Sequence, residues 1–246
     1  MTRRHVNPTG TNRIIAAAAT ASLLLCGVAA CGDERGAPPP VASAVGPSAG
    51  GDLDAPRPSD AAFFRRFHLM ASWLPEPEGL AAGVRESTLV LTARVTGVRE
   101  TRVLGTGDDT HGFVGVALEP VEILHGSKAQ GLGEITVEFD NPDPSGTPAL
   151  LADLRASLPE GQALWFLLWK GMLPPTAKKD VRVNPDEKAY YRLIHPFGGL
   201  AIQGPSGVVT PLADADHAPL PGRASLTHDV QGAGKLSSLA KAVKAQ

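Results

Sequence analysis

The chain has little cysteine, few aromatic residues and no excess of either charge. Its two cysteines, Cys26 and Cys31, lie close together near the N-terminus, so the body that follows has no disulfide and no thiolate chemistry. The twelve aromatic residues all fall between Phe63 and Phe197, which places the hydrophobic core in that span. With 23 basic against 25 acidic residues, the chain has neither a basic stripe for nucleic acid nor a polybasic cluster for anionic lipid. There is no HExxH pair, no P-loop and no dinucleotide glycine fingerprint. These absences leave no cofactor to expect and weigh against an enzyme.

What is present begins with a basic, acid-free segment carrying Arg3, Arg4 and Arg13. An apolar or small-residue run, Ile14–Ala30, follows and ends in Val28-Ala29-Ala30-Cys31. A basic region, a short apolar region and small residues before a cut site make a secretory signal peptide over 1–30. Val-Ala-Ala-Cys resembles the lipobox of bacterial lipoproteins. The resemblance implies that Cys31 is lipidated and becomes the mature N-terminus, on the extracytoplasmic side of a bacterial cell membrane. More than one acyl chain would make that attachment permanent. Residues 31–59, rich in Pro, Ala, Gly and Ser, read as a disordered linker. Such a tether reaches on the order of 30 Å.

The domain is expected over 60–246, organised around Gln162–Trp169. Seven of those eight residues are apolar. Ala163, Trp165, Leu167 and Trp169 alternate with Leu164, Phe166 and Leu168, so both faces must be covered, as in a central strand. Ahead of it the pattern predicts a helix over Ala61–Trp73, a strand over Thr88–Arg99, a polar loop over Gly105–Gly112 and a strand over Phe113–Leu124. The pattern predicts a further strand over Glu134–Asp140 and a helix opened by Thr147 and Pro148. Changes of phase at Gly97 and Pro120 read as bulges. Beyond the central strand come a strand over Ala189–His195, a hairpin through Gly204-Pro205-Ser206 and a last helix over Lys235–Ala245.

Three strands, a helix and two strands follow the order of the OB-fold. The expected fold is therefore mainly β (α+β): an OB-like antiparallel barrel of five to six strands. An N-terminal helix, a helix before the central strand and a short C-terminal helix accompany it. The runs Leu91–Val98, Val121–Ser127 and Leu158–Leu168 resemble secreted bacterial proteins with OB-like barrels of the tissue-inhibitor and netrin type. His125 and Gln162 depart from that pattern, which usually has lysine and glutamate there. Metalloprotease inhibition is not implied, because an acylated Cys31 cannot be placed on a target's metal.

Candidate chemistry is sparse. Asp108, Asp109 and His111, and Asp214, Asp216 and His217, carry the carboxylates and imidazole that a loop metal could use. Neighbours on one loop seldom converge on one ion, so solvated turns are the plainer reading of both groups. Glu119, Glu122, Glu134 and Glu138 fall on outward strand positions and read as solubilising. The expected function is a membrane-anchored, non-enzymatic binding or accessory module of the cell envelope. Its partners would be the membrane, through the anchor, and an envelope protein or small ligand, with no nucleic acid. The alternative is a loop-based metal site or hydrolase around His111 and His217.

Overall fold

The computed structural model describes residues 52–67, 75–106, 109–141, 143–172, 182–213 and 224–246. All lie in the second of two compact units, Pro47–Gln246. The leader with Cys31 lies outside them, as does most of the residue span read as linker.

Seven strands make one sheet: β1 (Leu89–Thr106), β2 (Asp109–Gly126), β3 (Ile135–Asn141), β4 (Gln162–Trp169), β5 (Tyr191–Leu193), β6 (Leu200–Gly204) and β7 (Gly207–Val209). Their order is β1-β2-β3-β5-β4-β6-β7, and an additional β1–β4 pairing closes the first five into a ring. Among the described residues five helices accompany the sheet: α1 (Pro58–Phe64), α2 (Leu80–Glu86), α3 (Thr147–Arg155), α4 (Leu226–Gln231) and α5 (Leu236–Lys244). The mainly β, α+β expectation therefore holds. No helix among the described residues is long and apolar enough to cross a membrane.

The alternation of β4 divides the core in two. Ala163, Trp165 and Leu167 join Leu91, Val116, Val137 and Phe139 inside the ring. Leu164 and Phe166 join Val90 of β1 and residues of α4 and α5 on the other side. Each fully buried large side chain contributes roughly 1.5–3 kcal/mol relative to exposure, so β4 is anchored from both faces. Phe64 of α1 meets Trp165 edge to face at 5.6 Å, and Asp60 of α1 accepts the Gly161 N–H at 3.0 Å.

Several expectations need correction. Pairing is antiparallel throughout the ring except between β3 and β5, which run parallel at Val137 and Tyr191. The stretch 105–112 is mostly hairpin rather than loop, because β1 and β2 stay paired out to Thr106 and Asp109. The helix read over Ala61–Trp73 is helical over Pro58–Phe64, and residues 68–74 lie outside those described. Gly146, not Thr147, occupies the cap position of α3. The strand read over 189–195 shrinks to Tyr191–Leu193, because a 3-10 turn over Pro185–Ala189 precedes it. Within the stretch read as linker, Leu53 packs against the second core and Asp54 accepts the Ser237 N–H at 2.8 Å.

The bulges fall where the pattern changes phase. Register shifts lie between Val95 and Gly97 and between Thr92 and Ala93, the latter opposite Pro120. A further shift, between Glu100 and Val103, leaves Thr101 and Arg102 out of regular pairing opposite Phe113. That last irregularity positions the site described next.

Candidate functional site

Alternation along β3 turns Ile135, Val137 and Phe139 into the core and Glu138 away from it. An outward carboxylate would ordinarily be solvated, yet the Glu138 side chain is only 1% exposed. The irregularity in β1 accounts for this. It aims Thr101 and Arg102 together across the sheet, as bulges beside sites commonly do. Arg102 donates from Nε to Glu138 Oε1 at 3.1 Å and from Nη2 to Oε2 at 3.0 Å. The Thr101 hydroxyl donates to Oε1 at 2.6 Å, and Lys170, just past β4, donates to Oε2 at 2.7 Å. Gly115 makes room, since a Cβ there would meet the Thr101 and Thr136 methyls at 2.5 and 2.7 Å.

Phe113 lies beneath these cations. The Arg102 guanidinium is 4.7 Å and the Lys170 ammonium 5.0 Å from its ring centre, within cation–π range. Arg102 also pairs with Glu187 at 3.2 Å. Burial works to lower the Arg102 pKa, but the hydrogen bonds and charges of Glu138 and Glu187 outweigh it and hold the group above its ordinary value. With both Glu138 oxygens engaged by donors from three side chains, the carboxylate has no free acceptor geometry for proton abstraction. It fixes Arg102 and Lys170 in place.

Phe113, Glu138, Lys170 and Glu187 of this cluster line an open cleft of about 440 Å³, whose other walls include Asp140, Trp169, Met172, Arg182 and Arg192. Trp169 is held rigidly. Its indole Nε1 donates to the Lys188 carbonyl at 2.9 Å, and its ring lies over Gly171, where a Cβ would collide with it. A second cleft of about 460 Å³ shares Trp169 and Met172 and is otherwise lined by Thr88, Ala129, Tyr191 and polar turn residues.

Of the candidate site residues singled out from sequence, Asp109 and His111 lie among the described residues. His111 stands on strand β2, where its Nε2 donates to Asp140 Oδ1 at 3.0 Å and its ring meets Phe113 at 4.9 Å. It therefore touches two wall residues of the cleft, Asp140 and Phe113, from a strand rather than from a loop. Asp109 begins β2. Asp108, Asp214, Asp216, His217 and Cys31 lie outside the described residues. Among the described residues, no group of three or more His, Cys, Asp or Glu could hold a metal ion.

The residues that do converge, Arg102, Phe113, Glu138, Lys170 and Arg192, were not signalled by spacing. They come from four strands and one strand exit. The only local sign is an acid between two core residues of a cleanly alternating strand, which reads equally well as solubilising. In comparisons with protein families, curated proteins and solved structures, nothing matches this chain.

Proposed function

We propose that this is a lipid-anchored lipoprotein of the bacterial cell envelope, tethered through Cys31, whose domain is a non-enzymatic binding module. The five-stranded ring is, on this reading, an OB-like barrel. The strand order β1-β2-β3-β5-β4-β1 and the helix between β3 and β4 support it, since the OB-fold is a five-stranded, partly open Greek-key barrel. The Val-Ala-Ala-Cys sequence after an apolar run supports the anchor.

One observation carries the binding role: a cleft with preset walls. Its Glu138 and Glu187 are fixed by Arg102 and Lys170, and an aromatic ring is pinned beside them. Ligand sites are usually largely preformed clefts in which placed polar groups fix the ligand's orientation.

The test is photo-cross-linking in cells with the reactive group placed at Met172, which is 55% exposed. A discrete adduct, present in the membrane fraction and lost on Phe113→Ala, supports the module. Capturing nothing beyond what a released Cys31→Ser chain captures sinks it. The same Cys31→Ser chain should leave the membrane fraction, and its retention there would remove the anchor.

A further inference from the structure

Lys170, Arg182 and Arg192 line the principal cleft, with Arg102 behind it, and these cations are not equivalent. Arg102 and Lys170 are neutralised by Glu138 and Glu187. The Arg192 side chain also lines the cleft, yet its guanidinium makes no hydrogen bond or ion pair among the described residues. Burial holds the Arg192 pKa below its ordinary value, and the only charge acting against that, Glu187, is already bound to Arg102. A half-buried guanidinium without a hydrogen-bonding partner among the described residues has given up hydration for little in return. It is poised for a planar anion, which its forked donors match in bidentate fashion.

The neighbouring walls add the apolar surface of Trp169, Met172, Ala129 and Tyr191 among the polar Thr88, Ser127 and Gln130. Trp169 and Met172 belong to both clefts, so the cationic cleft passes beside Met172 toward a second space lined by Ala129 and the Tyr191 ring. Tyr191 is itself anchored, its hydroxyl accepting the Ala129 N–H at 2.7 Å. A ligand whose charged end sat on Arg192 would have its body against this surface.

We propose that the module binds an amphiphilic organic anion, with a carboxylate or phosphate head on Arg192 and an aliphatic or aromatic body along Trp169 and Met172. This rests on the binding-module reading above and names its ligand class.

The experiment is calorimetric titration of the full-length Cys31→Ser chain with decanoate, decyl phosphate, decan-1-ol and acetate. One of the two long anions is expected to bind at one per chain, and the tighter of them identifies the head group. Decan-1-ol and acetate should each bind at least about tenfold more weakly, the scale of one charge-assisted pair or of a buried chain. Arg192→Gln should remove that preference with Tm unchanged or raised, because the guanidinium bonds to none of the described residues. Arg192→Lys should keep part of it. Equal binding of decanoate and decan-1-ol, no binding of either anion, or an undiminished anion preference in Arg192→Gln overturns the assignment. If the long anions fail to bind while the Met172 adduct in cells persists, the ligand class is wrong and the binding module stands.

Discussion

Arg102 and Glu138 meet side-on, the guanidinium Nε and Nη2 facing the two carboxylate oxygens at 3.1 and 3.0 Å, with side chains only 11% and 1% exposed. Their elements are not neighbours in the sheet, because β2 runs between β1 and β3. The pair therefore spans a whole strand. It does so because Thr101 and Arg102 escape regular pairing and because Gly115, on the intervening strand, offers no side chain to block the crossing.

Removing the acid should therefore cost more than a surface ion pair. Glu138→Gln keeps the shape but leaves Arg102 and Lys170 buried beside a neutral amide. Breaking a buried pair from one side typically costs about 3–5 kcal/mol, and the slight exposure of both cations places the expected loss near about 3 kcal/mol. Urea denaturation measures it. A loss no larger than that of Glu160→Gln, whose partner Arg57 is a surface contact with Glu160 83% exposed, would show that the cluster is solvated in solution.

Gly171 sets the wall of the cleft. An added Cβ would occupy the space of the Trp169 ring, so Gly171→Ala must turn the indole away from the Lys188 carbonyl. The expected result is a red-shifted tryptophan emission, with binding of the long anion weakened at least about tenfold, as misplaced preorganised contacts commonly do. An unchanged spectrum with unchanged affinity would remove Trp169 from the site.

Much of the fold was legible because its strongest signals are periodic. The apolar set of Gln162–Trp169 could only belong to a strand covered twice, and both cores meet on it. Gly97 and Pro120 marked bulges through the change of parity they impose. The helices α2 and α4, of seven and six residues, are too short to establish a 3.6-residue period. The candidate site was hidden for a different reason. Glu138 alternates like any solvent-facing acid, and its burial comes from Arg102, whose direction depends on a local loss of register that no residue type announces. Arg192, in the middle of β5, and Lys170, just past β4, read as ordinary surface bases. His111 was noticed for its acidic neighbours in sequence, but its partner is Asp140, from the adjacent strand.

The start of the central strand depends on one carboxylate. Asp60 accepts the backbone N–H groups of Glu160 and Gly161 through separate oxygens, at 3.3 and 3.0 Å. Asn has one acceptor oxygen, so Asp60→Asn leaves an amide N–H facing another N–H in a buried position. The expected cost is about 1–3 kcal/mol, the penalty of an unsatisfied buried group. Gly161→Ala should destabilise as well, because its Cβ would press on the same carboxylate. If Asp60→Asn denatured at the same urea concentration as the parent, the turn would be held by Phe63 and Phe64 packing alone.

His195 should give the domain its acid sensitivity near neutrality. The side chain is 6% exposed, its ring meets Phe197 edge to face at 5.5 Å, and its Nδ1 has no hydrogen-bond partner among the described residues. Burial holds its pKa below the ordinary 6.5, with the charge of Glu76 acting in the opposite sense. Below 6.5 the unfolded chain therefore takes up a proton that the folded chain refuses. Stability from this group is intact above that value and is lost progressively as the pH falls toward the depressed folded pKa. His195→Leu keeps comparable volume and removes the titration. Urea midpoints well above and well below pH 6.5 should then differ less in the variant than in the parent. Parallel losses in the two proteins would assign the acid sensitivity elsewhere and would mean that His195 accepts its proton without leaving the core.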